Sequence, residues 1–183
     1  ELAAALAKSH EVVLTDRRQV STQYSFARSD LGHDQSTHEL VRGMDAIIHP
    51  GEVAAGDSVS DQLDYLMRCT YNLLWAASEE GVPRLIYLGT LRVMDRYDED
   101  FVVTERWRPV PTTEVSVLRY HVGEYVCREF GREHKTGVVE KIDKHSDQLA
   151  AALQGGVPII ISTIHKFGFI QDKIESLPDR RYA

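Results

Sequence analysis

Four stretches of this chain, EVVLTD (11 to 16), DAIIHP (45 to 50), RLIYLG (84 to 89) and VPIIIST (157 to 163), are apolar at nearly every position. Segments with helical spacing of apolar residues lie between them. A strand that is apolar on both faces has to be covered on both, and a helix between successive strands supplies cover while returning the chain parallel. The pattern predicts an α/β fold built on a doubly wound parallel sheet. YSFARSDL (24 to 31) adds a further strand.

The helices have their own punctuation. Residues 1 to 9 are strong helix formers. Ser36 with Glu39 reads as a capping box for a short helix. From Asp61 onward Leu63, Leu66, Met67, Thr70, Leu74 and Ala77 recur at helical spacing, and Gly81 with Pro83 supplies the stop. Thr113 caps a helix whose inner face carries Val115, Leu118, Val122 and Val126. Residues 91 to 111 mix charges, Trp107 and two prolines without a period, as a surface loop covering a site does. KHSDQLAAALQGG and QDKIESLP read as helices on either side of the last strand. No internal repeat or low-complexity tract stands out.

The 183 residues suit one core rather than two. A formal charge of −7 gives no overall basic field, so nucleic acid is not the expected partner. Cys69 and Cys127 each sit in a helix-like apolar pattern and read as buried free thiols of a reducing compartment. No apolar run reaches a membrane span and the first residues carry no secretion signal, so the cytoplasm is the expected location.

Asp16 ends the first strand, where a carboxylate can accept hydrogen bonds from a ribose hydroxyl, and Arg17 and Arg18 follow, where they could receive a 2′-phosphate. A strand-end turn with solvated arginines is the plain alternative.

The order TDRR, SDLG, VRGMDAIIH, TYNLLWAASEEGVPRLIYLGT, TERWRPVP and a helix ending GEYVCREFG resembles the extended short-chain dehydrogenases, the NAD-dependent epimerase/dehydratase family, over residues 1 to 135. The resemblance implies a Rossmann-like unit over residues 1 to 136, an NAD or NADP cofactor, and nucleotide sugars as the ancestral substrate class. It implies that Asp16 meets the adenosine ribose and that Asp30 and Leu31 flank the adenine. His49 falls where the family has H-L-A-A, here HPGEVAA, and Thr90 matches the serine or threonine that bonds the substrate.

The family's other catalytic residues are a tyrosine and, four positions later, a lysine whose charge lowers the phenol pKa. Counted back from Glu124, those positions hold Ser116 and Tyr120. If Tyr120 were the acid, Glu124 would stand where the lysine belongs and raise the phenol pKa. Arg119 projects about 100° away on the helix. Losing general acid–base help removes about 10² to 10⁴ in rate. The implied protein is a degenerate member with impaired or absent catalysis; a non-catalytic interaction or regulatory module is the alternative from another class, and a homodimer is left open.

The G-x-G-x-x-G turn and the strand before it are absent from this sequence. In a doubly wound sheet that strand lies centrally, between EVVLTD and DAIIHP. Either it lies upstream, making the sheet incomplete at its N-terminus, or VPIIIST fills the place.

Residues 137 to 183 resemble the motor region of the restriction subunit of type I restriction enzymes, an ATP-driven DNA translocase, most specifically at IISTIHKFGF. They form a helix–strand–helix segment that either fills the sheet or is a foreign fusion. Neither a G-x-x-x-x-G-K-[ST] loop nor an acidic box is present. His121, Glu124 and Cys127 share one helix but lack a fourth ligand, so no metal is expected. His165 and Lys166 could touch a phosphate, although a solvated strand end is the plainer reading. Trp75 and Trp107 read as packing residues.

Overall fold

In the computed structural model, the described residues are 2–51, 56–98, 100–102, 107–133, 139–141 and 146–163. Strands form at the apolar runs: β1 (Val13–Asp16), β2 (Ser25–Arg28), β3 (Ile47–His49), β4 (Leu85–Gly89) and β6 (Ile159–Thr163), with a short β5 (Val139–Lys141) that the sequence pattern does not announce. The helices are α1 (Leu2–Leu6), α2 (Gln35–Val41), α3 (Val59–Asp64), α4 (Thr70–Glu79), α5 (Val115–Glu133) and α6 (Ser146–Gln154). QDKIESLP, His165 and Lys166 lie outside the described residues.

Every strand pairing is parallel, in a two-stranded sheet β1-β2 and a four-stranded sheet β3-β4-β6-β5. Leu85 pairs with Ile47 on one side and Ile159 on the other. β6 therefore does enter the sheet, but beside β4, and it does not stand between β1 and β3 as the sequence allowed. Among the described residues no strand occupies that place, so β1 pairs only with β2 and β3 only with β4.

The alternation along β4 sends successive side chains to two cores. Leu85 and Tyr87 join Ile47, Ile159 and Ile161 under α4 and α5, with Val41, Leu73, Leu74, Cys127 and Phe130. Ile86, Leu88 and Ile160 face the other way, against Leu6 of α1 and Leu149, Ala152 and Leu153 of α6. Leu14 of β1 and Ile48 of β3 are partly buried against this second cluster, so both sheets share one core. Each fully buried leucine or isoleucine contributes about 1.5–3 kcal/mol, which is why the strands richest in them hold the centre.

Helix ends explain where the elements start. Asp34, extended at φ −148°, caps α2 by accepting hydrogen bonds from the Ser36 and Thr37 N–H groups at 3.0 and 3.4 Å. The expected Ser36–Glu39 box does not form, because Ser36 already lies inside the helix. α3 begins before Asp61 because Ser58 and Asp61 cap each other reciprocally. Between α3 and α4 one π-helical turn, Tyr65–Cys69, inserts a residue and rotates the inner face. Met67, expected inside, is 51% exposed, and Cys69 is buried in its stead. α5 starts after Glu114, whose carbonyl accepts the Val117 and Leu118 N–H bonds, so Thr113 is not its cap.

Two of the sequence's turns are one device used twice. After α4, Gly81 (φ 70°) lets Val82 N–H reach Ala77 O at 2.8 Å; after α6, Gly156 (φ 72°) lets Val157 N–H reach Ala152 O at 3.1 Å. Both glycines open the tripeptide Gly-Val-Pro, and a buried strand follows directly. Trp107 packs on Tyr97 with ring centres 4.7 Å apart, beside the cluster of Val93, Met94 and Val117, while Trp75 stacks on Tyr71. Among the described residues no helix is long and apolar enough to cross a membrane. Both cysteines are free and buried.

Candidate site at the carboxyl ends of the strands

In a parallel sheet the crevice outside the carboxyl ends of the strands collects loop residues from several strands at once. Asp16 closes β1, and its Oδ1 accepts the Arg18 N–H at 2.7 Å, with Arg18 Nε at 3.6 Å. The strand-end turn foreseen as the plain alternative is therefore present. Arg17 points elsewhere: its guanidinium pairs with Asp57, in the loop between β3 and α3, and its carbonyl accepts Arg28 Nε at 2.9 Å.

After β2, Asp30 and Leu31 are held to the helix that follows β3. Cys69 donates its thiol to the Asp30 carbonyl at 3.4 Å, and Asn72 Nδ2 donates to the Leu31 carbonyl at 2.8 Å. Leu31 is buried and adopts φ 52°, a left-handed conformation that a leucine side chain rarely takes. The π turn lies beneath this loop. Asn72 has no sequence signal, since it sits in a row of helix formers with no partner in its own period.

His49 ends β3 but faces inward. Its Nε2 is 3.0 Å from Thr70 Oγ1, its ring lies beside Tyr65 and Tyr87, and burial pushes its pKa down to about 4. It is a neutral core histidine that ties β3 to α4. Burial likewise pushes the Tyr65 phenol up to about 12 and the Cys69 thiol up to about 11, so both stay protonated at neutral pH.

The positions expected to carry chemistry meet along the face of α5 that packs on β4. Glu124 is buried, pairs with Arg128 at 3.2 Å, and sits over Gly89, where a Cβ would come within 2.6 Å of its Oε1. The preceding residue, Gly123, makes room for the Tyr87 hydroxyl, which donates to the Tyr120 carbonyl at 3.3 Å. Ser116, Tyr120 and Glu124, spaced by four, therefore run down one face.

Thr90 accepts the Arg92 N–H at 3.3 Å and starts the 3₁₀ turn Leu91–Met94. Arg92 connects Thr90 to the helix: its Nη1 donates to Ser116 Oγ at 3.2 Å, its Nη2 to Glu114 at 3.0 Å and its Nε to Asp95 at 3.3 Å. The Ser116 hydroxyl donates to Glu114. That hydroxyl and Arg92 hold the Glu114 carboxyl below the usual carboxylate range, which makes it a weak base toward the serine. Neither Arg92 nor Glu114 had a sequence signal beyond lying two residues from Thr90 and Ser116.

Tyr120 packs between two core clusters, and Arg119 Cζ lies 4.9 Å from the centre of its ring. The arginine reaches back over the neighbouring ring face, which the 100° rotation alone did not suggest. Among the described residues no three His, Cys, Asp or Glu side chains are placed to hold a metal ion.

Residues 2–141 match the model of the NAD dependent epimerase/dehydratase family. The structure is similar to a short-chain dehydrogenase/reductase superfamily protein from Agrobacterium tumefaciens with bound NAD, at TM-score 0.62 and 22% identity, covering 81% of this chain and 47% of that one. It is also similar to UDP-N-acetylglucosamine 4-epimerase from Bacillus cereus, at TM-score 0.65 and 13% identity, over 99% of this chain and 72% of the other. A point mutant of uronate dehydrogenase from Agrobacterium tumefaciens complexed with NAD gives TM-score 0.67 and 16% identity over 98% and 79%. The chain thus spans about half the length of the first of these proteins and some three quarters of the others. No curated protein matches it in sequence. The comparisons lend nothing to a translocase motor in residues 137–183.

Proposed function

Since the chain belongs to the NAD-dependent epimerase/dehydratase family, we propose that it is a degenerate NAD(P)-type member: a nucleotide-binding scaffold of nucleotide-sugar ancestry whose hydride chemistry is impaired or lost. The observation that carries the reading is the hydrogen-bonded state of Ser116. It stands at the dyad position but is closed into a network with Glu114 and Arg92, while Tyr120, at the other position, packs into the core.

The residues fit the adenosine half of a dinucleotide. Asp16 has a second carboxylate oxygen for a ribose hydroxyl, and the Asp30–Leu31 loop is pinned by Cys69 and Asn72 in the strained shape a flat ring would pack on. Bound nicotinamide would supply the hydride acceptor. On the protein side Thr90 would offer its hydroxyl to substrate, and Arg17 or Arg18 would decide between a 2′-hydroxyl and a 2′-phosphate. A serine hydroxyl already donating to a carboxylate is a poor proton shuttle for a sugar hydroxyl, and Arg119 lies over a ring face rather than beside a phenol oxygen. Residues 1 to 136 are read as the dinucleotide unit, and residues 137 to 183 as a segment whose strands β5 and β6 continue the sheet from β4.

The same reading puts the protein in the cytoplasm, supported by two free thiols. It also carries a homodimer, supported by Val59, Met67, Tyr71 and Tyr125, exposed on α3 to α5.

Titration with NAD and NADP, followed by melting temperature and tryptophan fluorescence, tests the binding half. A saturable shift at or below millimolar cofactor is expected, and no shift with either would defeat it. Restoring the dyad with Ser116→Tyr and Tyr120→Lys tests the chemical half: turnover of a UDP-sugar should rise by at least about 10²-fold over the parent. Parent turnover equal to the restored variant would contradict it.

A further inference from the structure

Among the described residues, an ion pair joins the end of β1 to the loop after β3, at the carboxyl ends of the strands. Arg17 follows the last residue of β1, and its guanidinium pairs with Asp57 between β3 and α3. The Asp57 side chain is only 13% exposed and the Arg17 side chain 35%. Asp57 is fixed from behind, since Gln62 Nε2 donates to its carbonyl at 3.0 Å and Ser58 begins α3. Burial raises the Tyr65 and Cys69 pKa values, and the Arg17 charge opposes that rise slightly, so the guanidinium lies near the π turn.

An arginine fork matches a phosphate group as well as it matches a carboxylate. A partly buried guanidinium with one carboxylate partner is thus an anion site that the protein fills with its own aspartate. Any phosphate entering the crevice between β1 and β3 has to displace that carboxylate and is repelled by it until it does.

We propose that the Arg17–Asp57 pair is a latch across the crevice, in which Arg17 is the residue that engages a phosphate or diphosphate group and Asp57 is an internal competitor for the same guanidinium. The latch rests on the nucleotide reading only for its ligand class. Its own logic concerns any compact phosphate.

The test is calorimetric titration of the full chain with inorganic pyrophosphate, and separately with NAD, at low salt. Asp57→Asn and Asp57→Ser should each bind pyrophosphate about fivefold more tightly than the parent, the scale expected for releasing one partly exposed ion pair. Arg17→Gln should bind it more weakly than the parent, and combining Arg17→Gln with Asp57→Asn should abolish the gain. Glu79→Gln removes the same charge from the end of α4, which leads into the amino end of β4, and should give no gain. Circular dichroism identifies which variants are folded, and the serine variant serves if the asparagine one is not.

Unchanged pyrophosphate affinity in both Asp57 variants, including no binding in any protein, would overturn the latch. So would a gain that survives Arg17→Gln or is matched by Glu79→Gln. If the Asp57 variants gain pyrophosphate but NAD binds no better than pyrophosphate, the latch stands and the dinucleotide reading falls. If NAD binds the parent but pyrophosphate affinity is unchanged in both Asp57 variants, the latch falls and the reading stands.

Discussion

His49 and Gly123 both sit in packed surroundings that leave little room for substitution. His49 is held neutral by burial, with a pKa of about 4 against 6.5 for the free side chain. The unfolded chain therefore binds a proton between these values that the folded chain refuses, and stability contributed by the neutral ring falls as pH drops from about 6.5 to 4. The full effect is up to about 3 kcal/mol. Urea melts at pH 7 and pH 5 should show this loss in the parent and a smaller one in His49→Gln; equal pH slopes would refute the assignment. The carboxylates with depressed pKa values, Asp34, Asp61, Glu80 and Glu114, lose their contribution at lower pH and do not mimic it. A Cβ at Gly123 would stand 2.2 Å from the Tyr87 hydroxyl, in a packed interior. Gly123→Ala should cost about 2–3 kcal/mol in chemical denaturation, with partial recovery on adding Tyr87→Phe. No recovery would place the strain elsewhere. Of the residues at this scale, Asp16, Thr90 and Ser116 could be found from strand ends and from a motif. Asn72, Arg92, Glu114 and Asp57 could not, because each acts on a partner about twenty to forty positions away in the chain.

The elements were legible wherever one local rule decided them. β3, β4 and β6 follow from runs centred on consecutive apolar residues, and the stop of α4 follows from Gly81. The rule failed where two rules competed. Asp34 and Ser36 are both good caps two residues apart, and the earlier one won because its carboxylate reaches two N–H groups. The π turn has no sequence signature at all, since it is set by how Cys69 and Asn72 meet the loop after β2. The repeated Gly-Val-Pro exit makes a prediction at this scale. Nothing lies within 4 Å of a Cβ at Gly81, so the cost of Gly81→Ala is only that of a left-handed alanine, about 1 kcal/mol. Gly81→Asn, which tolerates that conformation better, should cost less. Equal or greater loss with asparagine would mean that something other than backbone geometry sets the turn.

At the scale of the molecule, two parallel sheets, β1-β2 and β3-β4-β6-β5, share a core through Leu14 and Ile48. The sequence predicted the alternation of strands and helices, but left open whether β6 would fill the place between β1 and β3, and β6 pairs with β4 on the side away from β3. That choice depends on where α6 packs, and an amphipathic helix can cover either face. The place between β1 and β3 lies at the mouth of the crevice, where Arg17 and Asp57 meet, while the Ser116 network lies along α5. On the proposed reading, nucleotide affinity and hydride chemistry would be carried by different parts of the fold, so that one could be lost while the other stayed. Titrating the protein with NADH while following the cofactor's own fluorescence, then adding a UDP-4-keto-sugar, reads both at once. The account predicts emission that rises to saturation and then holds steady after the sugar is added. Emission that never rises, or that decays once the sugar is present, would contradict it.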